Sequence, residues 1–499
     1  MALDGLSDTR YNKMGLYSAL KVYFVGKDFL MQNTKFDYKS FFSAVFTLAL
    51  PIALQNILST TASMVDTIMI GSAGELAVAA VGLCAQITSL FISCYYGFAG
   101  GAILFFAQYW GAKDDKGVNK TFGLSALLLT LIAVIFGGIC VLKPNLILSL
   151  YTDKQSIIDI GVPYIRIVGF SYPVTVIVLI INFFFRTTER VKIPFLCSVV
   201  GFCVNFTLNW LLIYGRFGLP KMGAAGAAIG TLASSLVNLV LLLIFLKKDT
   251  ADIRLHRKQM IAWGNGFVFT FLKKCFPIVC NECLYGVGQM LINIVVGHQS
   301  ESAIAAMAAF RVLEGFVIAF FCGLQDATAV VVGKDVGAGA HERAYKNTIG
   351  YAILCPAITF TLVGTMLIFN RPLYGLFGLG AQAMEYGRYM LMIYLFAGTS
   401  RCCNNIMSNC YRAGGEPVFT TVVEITGLFL LSVLSTWAAG MIFHLPFPAV
   451  FACIYTDEAI RLACGIWYTK SCRWIKPVTE EGKKALPQFL ESKGKRIRR

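Results

Sequence analysis

Twelve stretches of this chain are each long and apolar enough to cross a bilayer, and that property limits the folds open to it more than any other. A helix rising about 1.5 Å per residue needs about 20 apolar residues to cover roughly 30 Å of hydrocarbon. The stretches lie near 42–70, 78–107, 121–142, 159–184, 193–214, 223–246, 275–296, 304–332, 348–369, 386–410, 417–439 and 447–469. The expected fold class is therefore all-α and integral to the membrane. Composition agrees, because 57% hydrophobic and only 14% charged residues is far from the quarter of charged residues typical of soluble domains. The lipid bilayer is the first expected partner.

The formal net charge of +16 would suggest nucleic acid in a soluble chain. Sorting the bases by loop gives a different answer. With the N-terminus inside, 33 of the 43 Lys and Arg fall on the inner side and five on the outer: Lys143, Lys154, Arg216, Lys221 and Arg371. Arg166, Arg311, Arg388, Arg401 and Arg461 lie within or at the ends of spans. Such a split is the positive-inside rule, so the expectation is a multi-pass plasma-membrane protein with both termini cytoplasmic and no nucleic-acid partner. The segment 1–40 lacks the basic start, apolar block and cleavage site of a signal peptide and reads as a cytoplasmic amphipathic lead-in.

The chain also resembles itself at an offset of 226 residues. Pro51 and Ile52 fall on Pro277 and Ile278, Gly71 on Gly297, Glu75 on Glu301, Gly111 on Gly337, Lys120 on Lys346, Gly161 on Gly387, and Arg186 on Arg412. Loop residues keep register as well as helix residues, which chance matching of Gly and Ala would not produce. Six spans per repeat puts both copies in one orientation: two six-helix lobes, 41–246 and 275–469, related by a parallel pseudo-two-fold axis with a cleft between them. A basic cytoplasmic linker, 247–274, joins the lobes, and a basic tail, 470–499, follows.

An ionised side chain at mid-bilayer costs about 2.5–3.5 kcal/mol on insertion scales, so each needs a partner, a cavity or a proton. Asp66 sits near the outer end of the first span. Glu282 lies about 11 Å into span 7, and Glu314 about 15 Å into span 8. Arg311 is one turn from Glu314 and a natural ion-pair partner, whereas the sequence neighbours of Glu282, including Asn281, offer no base. Asn205 and Asn209 share a face of span 5. With Thr231 on span 6 and Asp66 they form an oxygen-rich cluster suited to Na⁺ or to a proton relay, or else amide packing between helices.

Most of the sixteen Cys lie inside spans, where Cys behaves as a small hydrophobe. The pair Cys280 and Cys283 has no second pair or nearby His to complete a metal site, and no metal or other cofactor is expected. No G-x-x-x-x-G-K-[ST] motif is present, which argues against direct use of ATP. The four His are scattered over loops and span ends, so no enzyme activity is expected.

Several stretches resemble the multidrug and toxic compound extrusion (MATE) transporters over about residues 40–470. They are Leu50-Pro51-Ile52-Ala53 through Val65-Asp66-Thr67, Ala79-Ala80-Val81-Gly82-Leu83, the glycine-rich run from Gly215 to Thr231, Pro277 with Asn281-Glu282, and Gly333 with Gly337-Ala338-Gly339. The resemblance implies export of amphipathic, mostly cationic compounds in exchange for Na⁺ or H⁺. It also implies that Asp66 matches a coupling aspartate of some branches, with Asn205 and Thr231 as its neighbours, and that Glu282 matches a span-7 glutamate of others. Asn209 stands where the family places a further acid. The span-10 acid sometimes paired with the glutamate is not evident in Arg401-Cys402-Cys403-Asn404-Asn405, and an Arg401 facing the cleft would repel a cation.

The expected function is secondary active antiport by alternating access, by a monomer, with Glu282 first, Asp66 second and Glu314 third as ion-coupling acids. Asn205, Asn209, Thr231, Asn281 and Arg311 are the expected substrate or cation contacts. The alternative is a lipid-linked oligosaccharide flippase of the same superfold, which would line its cleft with bases for a pyrophosphate.

Overall fold

A computed structural model describes residues 37–72, 74–248 and 255–495, and no strand occurs among them. The lead-in 1–40 falls almost wholly outside the described residues. The first lobe comprises α1 (Tyr38–Gly71), α2 (Glu75–Gly111), α3 (Asp115–Leu142), α4 (Gln155–Thr187), α5 (Lys192–Tyr214) and α6 (Ala224–Lys248). The second comprises α7 (Asn265–Gly297), α8 (Glu301–Gly337), α9 (His341–Ile368), α10 (Ala381–Ala413), α11 (Pro417–Ile442) and α12 (Thr456–Ser471). The helix α7 starts at Asn265, ten residues before the expected span, so the end of the basic linker 247–274 is helical.

Local chemistry sets the helix ends. Asp114 caps α3 by accepting the Gly117 N–H at 3.0 Å, and Ser300 caps α8 through the Ala303 N–H at 3.3 Å. Gly215 ends α5 in the left-handed conformation that a side chain would resist. Ten of the twelve helices are long and apolar enough to span by themselves. The exceptions are α10, interrupted by Glu385, Arg388, Arg401 and Arg412, and α12, a 16-residue helix that opens on Asp457, Glu458 and Arg461 after the separate turn Phe447–Cys453. Arg401 and Arg412 of α10 and Asp457, Glu458 and Arg461 of α12 pair inside the lobe, whereas Glu385 and Arg388 are exposed near the start of α10.

The lobes meet through α2 and α8 at the end that carries the basic loops. A Cβ on Gly97 would fall on the backbone of Val279, and one on Gly323 would fall on that of Ala53; these contacts are equivalent at the 226-residue offset. Gly111 against Lys334 and Gly337 against Gln108 form a second equivalent pair further along the same helices. Only glycine lets backbones approach this closely, as at other small-residue contacts in membranes. The repeat is thus an axis of contact as well as a sequence pattern. Hydrogen bonds and ion pairs between the lobes gather here: Arg186 with Asp326, Lys334 with Glu189, and the Gln108 amide donating to the Ala413 carbonyl at 2.7 Å. Among the described residues none joins the lobes at the opposite face.

The tail also folds against this junction. Trp474 is wholly buried, and the Lys476 N–H donates to the Gly414 carbonyl at 2.8 Å. Thr479 donates to the Gly337 carbonyl at 2.7 Å and starts α13 (Glu480–Ser492), whose Phe489 packs on Tyr345 and His341. One bond reaches the first lobe: the Val478 N–H donates to Gln108 Oε1 at 2.7 Å.

Candidate functional site

The first lobe holds a small polar centre near the end away from the basic loops. Asp66 lies five residues before the end of α1, where Asn209 of α5 donates from Nδ2 to its Oδ1 at 2.5 Å and more weakly to Asn205 Oδ1 at 3.3 Å. Both asparagines are buried, and Asp66 is half-buried. The spacing of four on α5 that the sequence suggested places both amides on the side facing α1. Gly230 of α6 is needed for this arrangement, because a Cβ there would strike the Asn209 side chain. Thr231 does not join the cluster through a hydrogen bond; its hydroxyl donates back to the Ala227 carbonyl at 3.1 Å. Among the described residues Asp66 has no basic partner.

The second lobe is built differently. Glu314 is buried between Arg401 at 3.0 Å and Arg311 at 3.6 Å and also accepts from the Tyr455 hydroxyl at 3.4 Å. Arg401 donates its other arm to the Tyr285 hydroxyl at 2.5 Å, so the expected repulsive charge in the cleft is neutralised in place. Arg311 additionally donates to Asn293 at 3.0 Å. The expectation that Glu282 lacks a base is overturned: Arg412, 130 residues on in α10, lies 3.3 Å from it. Arg412 also approaches Glu424 of α11 at 3.5 Å, and Asn281 donates to Glu424 at 3.1 Å. Behind them Arg461 of α12 serves three acids, with Glu424 at 3.1 Å, Asp457 at 3.4 Å and Glu458 at 3.5 Å. Ser432 donates to Asp457 at 2.7 Å, and Asn404 to Glu458 at 2.7 Å.

Between the lobes Arg186, near the end of α4, meets Asp326 of α8 at 2.6 Å. The half-exposed Tyr96 stands close to this pair and to Glu282. Sequence reasoning missed Asp326, Glu424, Asp457 and Glu458, although each lies inside an expected span. Treating every acid within an apolar stretch as a candidate would have found all four.

The described helices form a twelve-helix, two-lobe architecture with intramembrane acids in each lobe, and the comparisons with known proteins fit it. The MatE family model matches residues 51–211 and again 277–438. The chain belongs to the MATE family. The two matches start 226 residues apart, at the register of the internal repeat. The chain is 25% identical to the probable multidrug resistance protein YoeA of Bacillus subtilis over 427 residues, 81% of this chain and 89% of that protein. It is 24% identical to an FAD transporter of Shewanella oneidensis over 84% of this chain and 92% of the other. A solved MATE structure in complex with MaL6 superposes with a TM-score of 0.78 at 18% identity, covering 86% of this chain and 95% of that one. As a MATE transporter the chain is a multi-pass membrane protein.

Proposed function

We propose that this MATE transporter exports amphipathic, mostly cationic compounds across the plasma membrane in exchange for Na⁺ or H⁺, its basic loops facing the cytoplasm. The observation that carries the coupling assignment is the isolation of Asp66. Glu282 and Glu314 are already neutralised by arginines, whereas Asp66 is half-buried, held by one amide donor and without a base among the described residues. This reverses the order in which sequence ranked Asp66 and Glu282.

With the lobes joined at the basic end, the described arrangement is the one that releases substrate outward and admits the coupling ion to Asp66. Ion binding must favour one lobe arrangement over the other, since a ligand of equal affinity for both moves nothing. Exchange of one monocation for one coupling ion is electroneutral, so the ion gradient drives export; a charge imbalance would add about 2.3 kcal/mol per 100 mV. The flippase alternative needs a cleft lined with free bases, and Arg311, Arg401, Arg412 and Arg461 each have carboxylate partners, which leaves Arg166 and Arg388 without one among the described residues. The relatives named for drug resistance support the export reading.

The test is efflux from proteoliposomes under a pH gradient and, separately, a Na⁺ gradient. Asp66→Asn is expected to abolish gradient-driven efflux of ethidium, with Glu282→Gln retaining part of it. The opposite pattern moves the coupling site to the second lobe.

A further inference from the structure

The cross-lobe pair Arg186 and Asp326 is set up to do more than hold the lobes together. Every other contact that positions Arg186 comes from the first lobe. Its second arm donates to Gln55 of α1 at 2.7 Å, and its guanidinium lies 5.9 Å from the Phe183 ring of its own helix. Asp326 has the reverse situation. Among the described residues Arg186 is its only hydrogen-bonding or ion-pair partner, and that partner belongs to the opposite lobe.

The repeat shows that this arrangement occurs once. At the 226-residue offset the counterpart of Arg186 is Arg412, which pairs within its own lobe with Glu282 and Glu424. The position equivalent to Asp326 is Gly100, which carries no side chain. The first lobe therefore lends an arginine across the junction, and the second returns none.

When the lobes part at the basic end, Arg186 must leave with α1 and α4, and Asp326 is left in α8 with no counter-ion. A carboxylate within a membrane span does not stay unpaired without cost, so a proton or another cation takes the place of the arginine. Glu282 stays paired with Arg412 inside the second lobe, and Tyr96 of α2 withdraws with the first lobe, so Asp326 is the carboxylate that the opening leaves without a base. A lone carboxylate at the parted junction suits a monovalent organic cation. We propose that Asp326 is a substrate-capture residue for organic cations in the state open at the basic end. On closure Arg186 acts as an internal competitor, retaking the carboxylate and displacing the cation into the outward cleft. This rests on the export reading above and adds to it the residue that loads the substrate and the one that ejects it.

The competitor role predicts effects of opposite sign from the two halves of one ion pair. Full-length protein in nanodiscs is titrated with ethidium by fluorescence anisotropy, and efflux is followed in proteoliposomes. Asp326→Asn is expected to weaken ethidium binding at least tenfold, and Asp326→Glu to retain most of it. Arg186→Gln is expected to tighten binding several-fold while slowing efflux, because release loses its competitor; Arg186→Lys keeps the charge and stays near wild type. If Asp326→Asn and Arg186→Gln shift affinity in the same direction, or neither shifts it, the pair is only a tie between lobes and the inference is overturned. Thermal melting of each variant identifies any that fail to fold, and in that case the Asp326→Glu and Arg186→Lys results decide: retained binding supports the inference and lost binding overturns it. A wild-type protein that neither binds nor exports organic cations refutes the export reading itself.

Discussion

The two lobes share a fold and a repeat yet treat charge in opposite ways. Where the first lobe sets Gln55 beside Ser198 at 2.8 Å and Arg186 at 2.7 Å, the second sets Asn281 beside Glu424 at 3.1 Å, with Arg412 3.5 Å from the same carboxylate. These positions correspond at the 226-residue offset, where Gln55 stands against Asn281 and Ser198 against Glu424; the acid in place of the serine gives Arg412 a carboxylate inside its own lobe, whereas Arg186 reaches across to Asp326. In the first lobe Asp66 lies within a span with no base beside it among the described residues. The second has five acids and four arginines locked together. A lobe whose charges are mutually satisfied is rigid, and one whose acid waits for a partner can respond to an ion.

Removing the centre of the second-lobe network tests this difference most severely. Arg461→Met leaves Glu424, Asp457 and Glu458 buried around a lost counter-ion, and breaking buried pairs of this kind costs about 3–5 kcal/mol. The variant is expected to melt well below wild type in detergent, or not to assemble; unchanged melting would mean that the network is not what holds this lobe. Next in size, Arg412→Gln should destabilise more than Arg186→Gln, because Arg412 serves two acids of its own lobe and Arg186 serves one acid across the junction. Equal shifts in melting temperature would erase the proposed asymmetry.

At the junction, Gly97→Leu and Gly323→Leu press equivalent bulk into equivalent contacts. Both should push the lobes apart at the basic end, read as greater labelling of a single cysteine introduced at the Ala53 or Val279 contact, on opposite sides of the axis. Labelling that rises for one variant alone would show that the contact axis is less symmetric than the repeat. The smallest effect is expected from Lys334→Ala. Its partner Glu189 is exposed, and exposed pairs contribute about 0–1 kcal/mol, so stability should hardly change.

Length and polarity along the chain were enough to read the twelve spans and the grouping of basic loops, and residue matches at one fixed offset gave the parallel repeat. The Asp66 and Asn209 contact was legible too, because Asn205 and Asn209 are four apart on one helix and must share a face. The partner of Glu282 was not. Arg412 lies at the far end of another helix, 130 residues on, and their meeting depends on how α7 and α10 are rotated. Helices that are apolar all round give no periodic signal of which face turns inward. Thr231 shows the opposite failure: its position was right, but its hydroxyl is taken up by its own helix.

The folded tail has a practical consequence. Trp474, Thr479 and Phe489 fix it to the second lobe, while one N–H at Val478 touches the first. Whatever is attached to α13 is therefore cargo of the second lobe. A fluorophore at the exposed Lys484 of α13, paired with one on Lys116 of α3, would report the distance between lobes directly, giving a ruler for the transport cycle that leaves the cleft unlabelled.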